Sequence, residues 1–146
     1  MLFLKRTMLL LILCSSAAVT TAQQKKASFQ NFSSSIKIPE SALSNAITRA
    51  RGQQAQIVLG ELNFSGEVVS NSQVFENLQT IIIKSPAYNN AVLQISKQTM
   101  QDKTVNYVGR IFSEGSADGY HIKRGSDGAY SLQKFDAAVI KQDCAL

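Results

Sequence analysis

The spacing of apolar residues predicts one amphipathic helix near the start of the folded region. In the segment IPESALSNAITRARG the apolar residues recur at i, i+3, i+4 and i+7, the spacing of one helix face, at Leu43, Ala46, Ile47 and Ala50. Pro39 and Glu40 precede this face, as is favourable at a helix N-terminus. Gly52 follows Arg49 and Arg51, and we expect it to end the helix in the left-handed conformation.

After the helix, the pattern changes to the alternation that is typical of strands. In IVLGELNFSGEVV the even positions from Val58 to Val68 are apolar or glycine, and the odd positions from Glu61 to Glu67 are polar, which predicts one half-buried strand. Further strands are predicted for TIIIKS, VLQIS and VNYVGRIF. The last of these is apolar on both faces, so we expect it to be covered on both sides. SNSQVFENLQ is predicted to be a turn or a single helical turn.

The segment ADGYHIKRGSDGAYSL predicts a hairpin and contains the one histidine of the sequence, His121. Pairing Ile122 with Tyr130 places the apolar side chains of both strands on one face. Residues 125–127 then form the loop, and Gly128 takes the left-handed bulge position. His121 points away from the core in this arrangement, and we expect a solvated imidazole.

These elements together predict an α+β fold, in which one N-terminal amphipathic helix packs on an antiparallel sheet of about five or six strands. A small, partly closed β-barrel is the alternative. We expect a single domain over residues 37–146. A flexible lead-in rich in Gln, Lys and Ser is predicted for residues 23–36, and its Phe29 and Phe32 are candidates for the core.

The first 22 residues have the pattern of a secretory signal peptide. Lys5 and Arg6 precede an apolar run that is too short to span a bilayer, and a stretch of small residues follows it. The predicted cut lies between Ala22 and Gln23, with cleavage after Ala18 as an alternative. We therefore expect an exported protein, secreted or periplasmic, with no membrane span after cleavage.

The two cysteines of the sequence lead to different predictions. Cys14 ends the apolar run, so a lipoprotein anchored through this residue is the alternative to simple cleavage, although Leu13 stands where lipid-attachment sites usually have a small residue. Cys144 lies near the end of the sequence. It would remain after cleavage as a free thiol or an intermolecular partner, because one cysteine cannot form an internal disulfide.

Composition and charge exclude several function classes. The formal charge of +5 falls to +3 once Lys5 and Arg6 are removed, and the remaining basic residues are scattered along the sequence. Nucleic-acid binding usually shows a basic stripe interleaved with aromatic residues, so we expect no nucleic-acid partner. One histidine and one terminal cysteine are too few for a zinc site, and nothing in the sequence shows a Ser-His-Asp set, so we predict no metal, cofactor or catalytic residue.

Residues 56–60 read Gln-Ile-Val-Leu-Gly and fit the pattern Gln-x-Val-x-Gly. This stretch resembles the central protease-binding hairpin of the cystatins, and the predicted helix followed by antiparallel strands is similar to their layout. The resemblance covers five residues and implies an inhibitor hairpin built on Gln56, Val58 and Gly60. The sequence departs from the family in the short spacing between Gly52 and Gln56, and in having no Trp for the downstream Pro-Trp wedge.

The sequence therefore favours a non-enzymatic binding or structural module whose partner is an unidentified protein or cell-surface ligand. A cystatin-like protease inhibitor is one alternative. A small hydrolase that uses carboxylates is the other, although Glu61 and Glu67 would lie about 20 Å apart on the predicted strand, too far to flank one glycosidic bond. Pairings of carboxylates across strands leave that alternative open.

Overall fold

The computed structural model describes residues 27–136. The elements of this range, in chain order, are β1 Ser35–Ile38, α1 Glu40–Ile47, β2 Gln54–Leu59, β3 Leu62–Phe75, β4 Leu78–Lys84, α2 Ala87–Asn90, β5 Val92–Thr99, β6 Val105–Phe112, β7 Asp118–Arg124 and β8 Tyr130–Asp136. The eight strands form one antiparallel sheet in the order β1-β8-β7-β6-β5-β4-β3-β2. Neither helix of this range is long and apolar enough to cross a membrane.

The predicted α+β fold with five or six strands is wrong, whereas the predicted antiparallel sheet is confirmed. The described residues form an eight-stranded sheet that is curled into a half-barrel and accompanied by two short helices. The half-barrel does not close, because the two edge strands, β1 and β2, do not pair with each other. Its buried residues form one core cluster on the concave side, which includes Phe64, Ile81, Ile83, Leu93, Ile95 and Ile111.

A hairpin replaces the single strand that was predicted after the helix. Leu59 lies opposite Leu62, and Gly60 and Glu61 form a two-residue turn between β2 and β3. Gly60 has a φ of 66°, a conformation that such turns commonly require. The turn moves the buried positions from odd numbers in β2 to even numbers in β3. Val58 is therefore 56% exposed instead of lying on the buried face.

One strand extension and one further strand arise where the sequence predicted none. The segment that was predicted as a turn continues β3 as far as Phe75, where it pairs with β4. Residues 35–38 form β1, which pairs with β8. Phe29 precedes β1 and is fully buried, so its predicted place in the core is confirmed.

The predicted helix is present as α1, and it packs against β2, β4 and β5. It ends earlier than predicted, and Ala50 is exposed. Side chains from β3 and β4 explain this end: the Asn71 amide donates to the carbonyls of Ile47 (2.8 Å) and Arg49 (2.7 Å), and the Gln79 amide donates to that of Ile47 (3.2 Å). These amides supply donors to carbonyls that have no partner within the helix.

The β7–β8 hairpin has the predicted faces but a different register. Ile122 lies opposite Leu132 instead of Tyr130, and the loop covers residues 125–129. Gly128 has a φ of 81°, as predicted for the left-handed position. A shift of two residues preserves the alternation of strand faces, so Ile122 still points into the core.

Residues 86–91 contain a left-handed turn between β4 and β5. Tyr88, Asn89 and Asn90 have φ values of 50°, 59° and 56°, so α2 is not a regular α-helix. This conformation costs roughly 1–2 kcal/mol for each residue other than glycine. The Tyr88 ring packs 5.5 Å from that of Phe29, and its hydroxyl donates to the carbonyl of Asn63 (3.1 Å). These contacts offset the strain and join the turn to the N-terminal segment.

Candidate functional site

The outer edge of β2 presents backbone groups that no other strand of residues 27–136 pairs with. The Val68 N–H of β3 donates to the carbonyl of Gln53 at 2.9 Å, so the carbonyl of residue 53 points toward β3. Since these directions alternate along a strand, the odd-numbered residues of β2 bond to β3. Gln54, Gln56 and Val58 therefore point their N–H and C=O groups away from the sheet.

An open groove of about 390 Å³ lies between this edge and α1. The helix wall includes Ala42, Asn45 and Arg49, and the strand wall includes Gln56 and Val58. Arg49 is the one charged residue among the described residues that line the groove. The groove therefore combines exposed strand backbone, small apolar side chains and one cation.

The two edges of the sheet differ in how they are protected from pairing. Natural edge strands commonly carry a charged residue or proline, which discourages an added strand. β1 contains Lys37 and is followed by Pro39, whereas β2 reads QAQIVL and contains neither a charge nor a proline. The β2 edge is thus the better suited of the two to accept another strand.

The three residues of the cystatin-like motif lie at this edge. Gln56 and Val58 are exposed on β2, and Gly60 lies in the turn that follows it. The turn is docked on the N-terminal segment: a Cβ on Gly60 would lie 2.6 Å from the Lys37 carbonyl oxygen, and the Glu61 carboxylate accepts from the Ser33 N–H at 2.6 Å. The hydrogen bonds to Ser33 also lower the pKa of Glu61. The turn that contains Gly60 is therefore held against the N-terminal segment.

His121 lies on the convex face, as predicted, but its ring is half-buried. The centroid of the imidazole lies 4.4 Å from that of the Phe135 ring. Burial, followed by the positive charges of Lys123 and Arg110, lowers the pKa of His121 below its ordinary value. Across residues 27–136, no three His, Cys, Asp or Glu side chains are grouped so that they could hold a metal ion.

The lowered pKa predicts that His121 makes stability depend on pH. Because the folded protein takes up this proton less readily than the unfolded chain, stability should fall as the pH drops below 6.5 and should level off below the folded-state pKa. Between about pH 7.5 and about pH 5.5, we expect the His121→Gln variant to lose less stability than the wild-type protein does as the pH falls. Urea unfolding at both pH values measures this, and identical losses in the two proteins would contradict it.

Asp118 is a buried carboxylate whose contacts anchor the N-terminal segment. Its oxygens accept from the N–H groups of Ser28 (2.7 Å) and Phe29 (3.0 Å) and from the Ser116 hydroxyl (2.7 Å). On the other side of the segment, the Lys134 ammonium donates to the carbonyl of Phe29 at 2.7 Å. Sequence reasoning missed this cluster, because the residues are about ninety positions apart and no local pattern connects them.

The remaining predicted sites lie outside the described residues: Cys14, Ala22, Gln23 and Cys144. The groove itself was also not predicted, since Asn45 and Arg49 appear in the sequence only as the polar side of a helix. Comparisons of the chain with family models, with curated proteins and with solved structures find no match.

Proposed function

We propose that this chain is an exported, non-enzymatic binding module that captures an extended polypeptide along the outer edge of β2. The observation that carries this proposal is the open groove in which Gln56 and Val58 point their backbone groups outward. A polypeptide added as a strand would gain main-chain hydrogen bonds to both residues. It would lie about 4.8 Å from β2, facing the helix wall.

The groove also indicates which polypeptide would bind. Alternate side chains of an added strand point to one face, so every second residue would meet the wall formed by Ala42 and Ala46. Small apolar residues fit that wall. Arg49, unopposed by a carboxylate in the groove, favours an acidic residue in the bound segment. The proposed ligand is therefore an extended peptide with alternating small apolar residues and one acidic residue.

The non-enzymatic part of the proposal rests on how the candidate catalytic groups are placed. Asp118 is occupied by hydrogen bonds to the N-terminal segment, and His121 packs on Phe135 on the opposite face of the sheet from the core. Neither residue lines the groove. A catalytic acid or base has to reach the reacting atoms of a substrate, and these positions do not favour that role.

Selection from a random peptide library displayed on phage tests the proposal. We expect selected peptides to show the alternating pattern and to slow amide hydrogen exchange at Gln56 and Val58. The amides of Ser35 and Lys37 serve as the internal control, because they point outward at the other edge of the sheet. Failure to enrich any peptide, or protection confined to the β1 edge, would refute the proposal.

The proposed export can be tested separately through the N-terminus of the mature protein. We expect intact-mass measurement of the protein purified from its native host to show that residues 1–22 are removed and that Gln23 is the first residue. A lipid-modified Cys14 would instead support the anchored alternative. A chain that retains its first 22 residues would contradict export by signal-peptide cleavage.

A further inference from the structure

The convex face of the sheet gathers cations that are distant in sequence. Arg110 on β6 lies opposite His121 on β7, and Lys123 lies two residues beyond that histidine. Lys123 lies opposite Ser131 on β8, which lies opposite Lys37 on β1. We name Lys37, Arg110 and Lys123 the convex cationic face; all three side chains are exposed.

No carboxylate accompanies these cations. Within the described range, the outward-pointing side chains of β1, β8, β7, β6 and β5 include no Asp or Glu. Acidic residues lie instead largely in turns and loops, at positions such as Glu61, Glu76, Asp102, Glu114 and Asp127. Basic and acidic residues nearly balance over residues 27–136. The positive charge of this face therefore arises because the strands place cations on it and the acidic residues lie elsewhere.

The three cations lie close enough together for one polymer chain to contact all of them. One strand lies between Lys37 and Lys123, so their Cα atoms are about 10 Å apart. Arg110 and Lys123 are diagonal neighbours on adjacent strands, and their Cα atoms are about 8 Å apart. None of the three forms an ion pair with another residue of the described range. Arg110 rests 4.6 Å above the Phe112 ring and donates to the Gln94 amide oxygen at 3.3 Å, contacts that orient its charge without neutralising it.

Neutral hydroxyl and amide side chains fill the space between the cations. Ser131 lies between Lys123 and Lys37, and Gln133 lies between His121 and Ser35. These groups both donate and accept hydrogen bonds, as the hydroxyl groups of a sugar do. A face of cations separated by such groups matches a polymer that alternates anionic groups with hydroxyl groups.

We infer that the convex cationic face binds a linear acidic polysaccharide. The face is curved, so a flexible chain can follow it across several strands, whereas a flat bilayer would touch it along one line. Single-stranded nucleic acid binds largely by stacking bases on open aromatic rings. Here Arg110 covers the Phe112 ring, and His121 packs on the Phe135 ring. The polysaccharide is therefore the polyanion that the face fits best.

Titration with polygalacturonate at low salt tests this inference, with neutral dextran as the ligand control. We expect binding to polygalacturonate that weakens as salt is added, and none to dextran. The Arg110→Gln, Lys123→Gln double variant should bind about tenfold more weakly. The Arg51→Gln, Lys103→Gln double variant removes the same charge elsewhere on the surface and should bind as wild type does. Unchanged thermal melting would establish that both variants fold.

Three outcomes would overturn the inference: no binding at low salt, an equal loss in the two double variants, or tighter binding to oligodeoxythymidylate or to phosphatidylglycerol vesicles than to polygalacturonate. The last result would assign the face to nucleic acid or to a membrane. Capture of peptides at the β2 edge should be the same in both double variants, so this test and that of the proposed function can fail independently.

Discussion

A proline at position 56 should abolish the capture of extended peptides and leave the fold intact. The Gln56 N–H points away from β3, so Gln56→Pro removes a donor that the sheet itself does not use. The proline ring would also block the approach of a paired strand. We expect the affinity for a selected peptide to fall more than tenfold, in calorimetric titrations, with an unchanged circular dichroism spectrum.

Two matched variants separate the backbone effect from other causes. Gln56→Ala keeps the N–H and should change the affinity by no more than about threefold. Ser35→Pro places proline at an outward N–H of the opposite edge and should not affect peptide capture. Retained affinity in Gln56→Pro, or an equal loss in Ser35→Pro, would show that peptides do not bind by adding a strand to β2.

Replacement of Asp118 by alanine should lower the free energy of unfolding by about 3 kcal/mol. The Phe29 N–H would lose the acceptors that it has in the described part of the chain, and the Ser28 N–H would lose the shorter of its two hydrogen bonds. Phe29 is fully buried, so its N–H could not be solvated without releasing the ring from the core. Urea unfolding at neutral pH measures the change.

The size of this effect can be bracketed by two other substitutions. Asp118→Asn retains one carbonyl oxygen and should cost about half as much as alanine. Asp127→Ala removes a carboxylate that accepts one backbone N–H in an exposed loop, and it should cost less than about 1 kcal/mol. If Asp118→Ala were no more destabilising than Asp127→Ala, the contacts with Ser28 and Phe29 would not hold the N-terminal segment in place.

The local spacing of apolar residues was sufficient to predict part of the fold. The spacing of Leu43, Ala46 and Ile47 identified the buried face of α1, and the β-branched run of TIIIKS identified β4. The faces of the β7–β8 hairpin also followed from alternation, although its register did not. A shift by two residues leaves every side chain on the same face, so the hydrophobic pattern cannot distinguish the two registers.

The sequence by itself therefore determined elements whose signal lies within a few neighbouring residues: one helix face, several strands and their antiparallel pairing. Only the tertiary structure decided the number of strands, the edge position of β2 and the gathering of Lys37, Arg110 and Lys123 on one face. The reason is physical. Which strand lies at an edge, and which side chains meet across strands, depend on pairings between distant segments, and no local spacing of residues records those pairings.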